Sequence, residues 1–272
     1  MCNYDLKNIE NEKEKENKKE YEDYSMNITS NKLISLAKLL YRGRDVSHGI
    51  EHVMKVRENS LKLAEKLNVK ESIELIKIET AALFHDLWDS KYIKNDKEYV
   101  TIRNNFRREL SAIYFSIHDI TEIEIIIDNI SLSKEIRRKN SKHKNKIIDN
   151  IKFVNENNKE KEKDLERVSE KEIKEREIPE LKHLQLLRDI VSDADKIEML
   201  GNEGIKRIVD YEIFNRPQKT SKELEEVVLE VYDKKISKLL SENYIRTKPG
   251  REIAEPLMKE TELLISKLRP AR

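Results

Sequence analysis

The pair His85-Asp86 is the part of this sequence that is most clearly able to take part in chemistry. It follows the apolar run AALF at 81–84, where buried polar side chains need a ligand or a hydrogen-bonding partner. His52 precedes the pair in the chain, and Asp195 follows it. Two imidazoles and two carboxylates suit a borderline divalent cation. Because such an ion lowers the pKa of bound water, this set predicts a metal hydrolase that attacks phosphorus.

The composition restricts the class of protein. With 54 basic and 53 acidic residues the formal net charge is only +1, so no specific nucleic-acid binding is expected. The single cysteine, Cys2, excludes an intramolecular disulfide framework and a cysteine-built metal site. We find neither a signal-type apolar core nor an apolar stretch long enough to span a bilayer. The sequence therefore predicts a cytoplasmic protein that makes no membrane contact.

Helices must position these side chains. Only five Gly and five Pro occur in 272 residues, which favours long helices, and no strand pattern is evident, so the predicted class is all-α. Residues 1–26 are rich in Lys, Glu and Asn and are predicted to be a flexible charged extension. Residues 27–272 are predicted to form one helical domain. Within it, the charged segment at about 155–180 is predicted to be a solvated helical or mobile insertion.

Apolar periodicity places each candidate ligand on its own helix. A helix from Ser47 to Leu67 carries His52 near its start, one from Glu71 to Leu87 ends at the His-Asp pair, and one over 183–200 carries Asp195. The other predicted helices begin at Asn31 or lie near 102–117, 119–132, 143–154, 202–215, 221–241 and 249–268. A second His-Asp pair, at 118–119, is interpreted as part of a helix junction, where Asp is commonly a cap.

Three segments, in this order, resemble the HD-domain metal-dependent phosphohydrolase superfamily. They read HGIEHVMKVR at 48–57, AALFHDLWDSKY at 81–92 and DADKI at 193–197. The likeness is closest to bacterial and fungal-type HD pyrophosphohydrolase-like proteins and covers roughly residues 30–268. It implies an HD-domain helical bundle that hydrolyses phosphate or pyrophosphate bonds, often those of nucleoside triphosphates.

By that resemblance His52, His85, Asp86 and Asp195 are the ligands of one divalent metal ion. Adjacent helical residues diverge by ~100°, so the helix must end or bend at the His-Asp pair. The family pattern places Lys or Arg directly after the last ligand, which selects Asp195 and leaves Asp193 as a supporting or capping group. Mn²⁺ is the expected metal, with Mg²⁺, Fe²⁺, Co²⁺, Ni²⁺ and Zn²⁺ as alternatives.

The resemblance also suggests which residues carry out the chemistry. Asp89 occupies the position where related nucleotidases place an acidic residue, so it is expected to position water or to act as a general acid or base. The candidate substrate contacts are His48, Arg57, Lys91, Tyr92 and Lys196, and the further phosphate candidates are Arg42, Arg44 and Lys55.

The sequence thus predicts a metal-dependent phosphohydrolase. Its expected partner is a small phosphorylated substrate, with a nucleotide foremost, cleaved by metal-activated water. The alternatives are a non-catalytic HD module that binds a nucleotide or a protein partner, and a hydrolase of guanosine tetraphosphate alarmones. We find no added histidine constellation of the binuclear phosphodiesterase type, since residues 128–133 read DNISLS. The exact substrate and homo-oligomerisation are left open.

Overall fold

A computed structural model describes residues 25–89, 91–139 and 184–269. Regular structure in these ranges is entirely helical, which confirms the all-α prediction. The predicted helix at 143–154, the insertion at 155–180 and nearly all of the extension at 1–26 lie outside the described residues. The helices of the first part are α1 (25–40), α2 (Ile50–Lys66), α3 (Ser72–Phe84), α4 (Asp96–Ala112), α5 (Ile117–Asp128) and α6 (132–139).

The second described part contains the remaining helices. They are α7 (Gln185–Ile197), α8 (Gly201–Asn215), α9 (Ser221–Val231), the short α10 (Lys238–Ser241) and α11 (Lys248–Leu268). A 3-10 turn at Val46–His48 precedes α2, and a π-helical turn at Tyr232–Ile236 follows α9. None of the helices in the described ranges combines the length and apolar character needed to cross a membrane.

Capping side chains fix several helix starts. The Asn95 side chain accepts a hydrogen bond from the Glu98 N–H, so α4 begins at Asp96, six residues before the predicted start at 102. Ser116 caps α5 in the same way through the Asp119 N–H. The early turns of α4 are polar and exposed, which is why the apolar pattern alone did not reveal them.

The centre of the core is α3, which packs against α2, α5 and α7. Every residue from Ile76 to Phe84 is buried, so this helix lacks a solvent face in its second half. The Phe84 ring meets Phe106 of α4 edge to face, with centroids 5.2 Å apart. Truncating a buried phenylalanine of this kind typically costs about 3–5 kcal/mol. The end of α3 is therefore held rigidly where the chain enters His85.

Candidate metal centre

Three core helices bring four polar side chains to one point. His52 lies in the first turn of α2, and Asp195 lies near the end of α7. α3 ends at Phe84, so His85 is its C-terminal cap and Asp86 already lies beyond the helix. Hydrogen bonds from Leu87 N to Phe84 O (3.0 Å) and from Asp89 N to Asp86 O (3.1 Å) tighten the chain there. The helix thus ends at the pair, where a shared ion requires it to.

The donor atoms of these side chains converge. His52 Nε2 lies 3.2 Å from His85 Nε2, 3.4 Å from Asp195 Oδ1 and 3.7 Å from Asp86 Oδ2. His85 Nε2 lies 3.4 Å from Asp86 Oδ2 and 3.5 Å from Asp195 Oδ1. With metal–ligand distances of about 2.0–2.2 Å, neighbouring ligand atoms at tetrahedral or octahedral angles lie about 2.8–3.6 Å apart. Four of these five spacings lie in that range, and the fifth, from His52 Nε2 to Asp86 Oδ2, is slightly longer at 3.7 Å. His52, His85 and Asp195 alone already form a group able to hold one ion.

In both histidines, the ring nitrogen that faces the centre is the one that a metal ion would need. His85 Nδ1 lies 2.9 Å from the Ala82 carbonyl oxygen and must donate to it, so Nε2 is the ring nitrogen that faces the centre and would bind an ion once it has lost its proton. Metal-binding histidines are commonly oriented by such a bond. His52 is buried, and its Nδ1 finds no hydrogen-bond partner among the described residues. The polar contacts of the His52 ring are therefore made by Nε2, which faces the other three ligands.

Burial and charge act differently on the two imidazoles. Burial lowers the pKa of His52 to about 4, so that ring is neutral near pH 7. Burial also disfavours a charged His85, but Asp86 and Asp195 outweigh it and raise the pKa of His85 well above its usual value. Although burial opposes their ionisation, the pKa values of both carboxyls are held low by the two imidazoles. Two partly buried, ionised carboxylates thus lie beside the imidazoles, an arrangement that suits a cation at this point.

A cavity of about 730 Å³ opens beside the centre. His85, Asp86 and Asp195 form part of its wall, together with the predicted site residues His48, Asp89 and Lys91. Asp89 Oδ1 accepts a hydrogen bond from the Lys91 N–H (2.9 Å), and Lys91 Nζ lies 3.2 Å from His48 Nε2. Three of the four ligand candidates and these three residues therefore line one cavity, and His52 lies behind it.

Several cations of the cavity wall are not predictable from the sequence. Lys235, Arg137, Lys134 and Lys94 all line it. Lys235 lies in the π-helical turn after α9, and burial, followed by the nearby Lys91 charge, lowers its pKa. None of these cations falls in a recognisable motif, because the fold alone brings α6 and the π-helical turn to the ligands. A lysine in the sequence YDKKISK has no local signal that separates it from a surface residue.

Lys196 does not contact the cavity, contrary to the prediction of a phosphate contact. Its side chain is fully buried, and its ammonium donates to Ser192 Oγ (2.7 Å), to the Tyr244 carbonyl (2.9 Å) and to Glu135 (3.0 Å). The physical reason is helical geometry, since the residue after Asp195 points about 100° away from it. Lys196 joins α7 to α6 and to the segment before α11.

Arg57 and Tyr92 are also placed outside the cavity. Arg57 donates to Glu79 (2.6 Å) and to Ser30 (3.1 Å), joining α2 to α3 and α1. Tyr92 donates to the Asp45 carboxylate instead of facing a substrate. Among the other phosphate candidates, the exposed Lys55 faces Glu203 at 3.6 Å. Arg44 donates to two main-chain oxygens instead of lining the cavity, and the exposed Arg42 does not line it either.

Asp193 has a structural role distinct from that of Asp195. Its buried carboxylate accepts from the Thr247 N–H (2.7 Å) and the Arg246 N–H (3.0 Å), just before α11 begins. The two carboxylates of the DADKI segment therefore face opposite directions. The carboxylate of Asp195 is the one that lies among the imidazoles.

Comparison with known proteins identifies the fold. Neither a protein-family model nor a curated protein matches the sequence. Solved structures do match. Bacillus subtilis YpgQ in complex with ADP is 17% identical with a TM-score of 0.56, over 90% of this chain and 95% of that chain. A Lactobacillus plantarum protein is 18% identical with a TM-score of 0.57, over 88% of this chain and 94% of its own.

A third solved structure carries a class description. An HD-superfamily hydrolase from Bacillus thuringiensis is 17% identical with a TM-score of 0.53, over 89% of this chain and 95% of that chain. The chain therefore has the fold of the HD-domain superfamily. This agrees with the resemblance carried by the three sequence segments.

Proposed function

We propose that this protein is a metal-dependent phosphohydrolase that cleaves a phosphate or pyrophosphate bond of a nucleotide or similar small phosphorylated metabolite. One observation carries the proposal: of four converging side chains, three line a cavity whose other walls carry cations. The ligand side suits a divalent ion, and the cations suit the anionic groups of a substrate. A solved structure with the same fold, YpgQ, contains ADP, which supports a nucleotide.

His52, His85, Asp86 and Asp195 would hold the ion. When bound, a divalent ion supplies Lewis-acid polarisation of a phosphoryl oxygen and lowers the pKa of its bound water. Mixed nitrogen and oxygen ligation leads us to propose Mn²⁺ first, with Mg²⁺, Fe²⁺, Co²⁺, Ni²⁺ and Zn²⁺ as the alternatives to test. Asp89 shares the cavity wall with Asp86 and is proposed to orient the attacking water or to transfer its proton.

The cations of the cavity wall are proposed to bind different phosphate groups of the substrate. Lys91 lies beside the ligands and within reach of His48, so both are proposed to contact the phosphoryl group under attack. Lys235 and Arg137 are close enough to influence each other electrostatically, and both line the cavity. The Asp89 carboxylate is near enough to favour the charged form of Lys235, although burial and the Lys91 charge oppose it, and a substrate phosphate is proposed to add a second negative charge there.

The size and lining of the cavity support a nucleotide. Its volume of about 730 Å³ lies within the range of about 300–1,000 Å³ usual for small-molecule sites. Trp88, Tyr99 and Ile127 make part of the wall apolar and aromatic; Trp88 and Ile127 are buried, so the partly exposed Tyr99 ring is the one proposed to contact a base. A phosphate ester without a base would leave that aromatic surface without a contact.

A substrate panel tests the function. The chelator-treated protein is reloaded with each metal in turn and offered nucleoside triphosphates, p-nitrophenyl phosphate and guanosine tetraphosphate. We expect nucleotide turnover that depends on the metal, with phosphate or pyrophosphate measured as product. His85→Ala should lose both metal and turnover. His118→Ala is the matched control, since this histidine of the second His-Asp pair is 77% exposed on its side chain.

The panel also separates the alternatives. A metal-loaded protein without turnover on any substrate would favour the non-catalytic HD module. Turnover confined to guanosine tetraphosphate would favour an alarmone hydrolase. Lys235→Met tests the phosphate contact, with an expected ~10–100-fold rise in KM, because a charged hydrogen bond contributes about 1.5–3 kcal/mol. Its neighbour Lys234 is the control, since its exposed side chain pairs with Glu230.

A further inference from the structure

Arg44 makes an unusual contact with the main chain at the metal centre. Its Nη1 donates to the Asp86 carbonyl oxygen at 2.7 Å, and its Nη2 donates to the Leu87 carbonyl oxygen at 2.6 Å. Both oxygens belong to the tight turns that follow α3. One of them is the main-chain oxygen of a metal-ligand candidate. The guanidinium is therefore fixed to the segment that carries His85 and Asp86.

Two tyrosines hold the guanidinium in place. The Arg44 Cζ lies 4.6 Å from the Tyr41 ring centroid and 4.4 Å from the Tyr92 ring centroid. The Tyr92 hydroxyl is in turn held by Asp45, which also caps the 3-10 turn before α2. Stacking on aromatic faces restricts a planar guanidinium to one orientation. Arg44 is thus a rigid part of the turn.

The chain needs such a contact at this position. Carbonyls at a helix end lack the N–H partners that a continuing helix would supply. The Asp86 carbonyl also accepts from the Asp89 N–H (3.1 Å), and Arg44 bonds both this oxygen and the next one, at Leu87, where the chain turns so that the side chains of His85 and Asp86 face the same point. A guanidinium presents two parallel N–H donors and can bond both oxygens at once, whereas an ammonium cannot match that geometry.

We propose that Arg44 is a positioning residue for the metal centre. It holds the main chain at 86–87 in the turn that directs the Asp86 carboxylate toward the Nε2 atoms of His52 and His85. This inference rests on the metal site of the proposed function. It also explains why Arg44 makes no phosphate contact, since its donors are used by the two main-chain oxygens and its faces are covered by aromatic rings.

Metal binding measured without turnover tests the inference. Chelator-treated wild type, Arg44→Met and Arg44→Lys are titrated with Mn²⁺ by calorimetry, and the melting temperature of each metal-free protein is recorded. We expect Arg44→Met to weaken Mn²⁺ binding by ~10–100-fold, the usual cost of removing a group that orients a metal ligand. Arg44→Lys should recover only part of that loss, because it restores charge but not the paired donors.

Arg251→Met is the matched control. Arg251 also donates to main-chain oxygens, those of Leu240 and Ile245, and it does not line the cavity. Its loss should lower the melting temperature and leave Mn²⁺ affinity within twofold of wild type. Wild-type affinity in either folded Arg44 variant would overturn the inference. So would an equal loss of affinity in Arg251→Met, since general destabilisation would then explain it. Wild type that binds no metal would instead refute the proposed function.

Discussion

At the scale of single residues, the motif residues lie where the sequence predicted, whereas several of their neighbours in sequence do not. His52, His85, Asp86 and Asp195 are brought together as the three segments predicted, because each segment carries its own spacing and context. The phosphate contacts were assigned by proximity in sequence, and Lys196 and Arg57 lie elsewhere. Sequence proximity to a ligand does not fix direction on a helix, because one residue turns the side chain by about 100°.

A substitution of Asp89 can distinguish a catalytic role of this residue from a purely structural one. Asp89 lines the cavity, but Oδ1 also accepts the Lys91 N–H and so stabilises the turn. If Asp89 handles a proton, Asp89→Asn should retain the metal while kcat falls by ~10²–10⁴. If it only caps the turn, stability should fall by about 1 kcal/mol with kcat nearly unchanged. Measuring kcat, metal content and melting temperature on one variant distinguishes the two outcomes.

At the scale of helices, a buried group of charges joins α6 to α7. Glu135 of α6 contacts Lys196 at 3.0 Å, and it contacts Arg188 and Arg246 at 3.1 Å each. α6 also carries Lys134 and Arg137 into the cavity wall. The charges therefore fix a cationic wall of the cavity relative to the helix that carries Asp195.

Replacing Lys196 tests this structural role. Lys196→Met should lower the free energy of unfolding by about 1–3 kcal/mol, since charged hydrogen bonds are lost while two arginines still neutralise Glu135. Metal content per folded molecule should stay near wild type. Urea unfolding and elemental analysis measure both quantities. A large rise in KM with unchanged stability would restore Lys196 as a substrate contact.

The packing of α3 on α5 should make stability depend on pH. Lys77 of α3 lies 2.7 Å from Asp119. Although burial opposes ionisation, the bonds from Lys77 and Ser116 hold the pKa of Asp119 below its usual 3.8. A depressed carboxyl pKa contributes stability above the unfolded pKa, and this contribution is lost as the pH falls through the folded pKa.

Asp119→Asn isolates that contribution. The variant should melt at a lower temperature than wild type at pH 6, and the difference should shrink as the pH falls below about 3.8. Melting curves of both proteins across pH 3–7 measure it. A difference in melting temperature that does not change across this range would show that the Asp119 charge is not what joins the two helices.

At the scale of the whole molecule, the sequence predicted the convergence of the four polar side chains and the helical class better than the cavity. Periodicity and three local segments were sufficient to place His52, Asp86 and Asp195 on separate elements. The cavity wall is formed by α6, α8 and the π-helical turn, and no local sequence pattern predicts that these three elements pack around one cavity. Polar helices such as the first turns of α4 also left no apolar stripe to detect.

The centre joins three helices of the core, so metal binding should stabilise the entire fold. His52 comes from α2, His85 and Asp86 from the end of α3, and Asp195 from α7. A ligand that binds only the folded state stabilises it by about 2.7 kcal/mol at a hundred times its Kd. At ~2–4 °C per kcal/mol for a chain of about this size, Mn²⁺ at that excess should therefore raise the melting temperature of the chelator-treated protein by about 5–11 °C. His118→Ala should show the same rise and His85→Ala should show none. An equal rise in His85→Ala would mean that Mn²⁺ stabilises the fold from a different site.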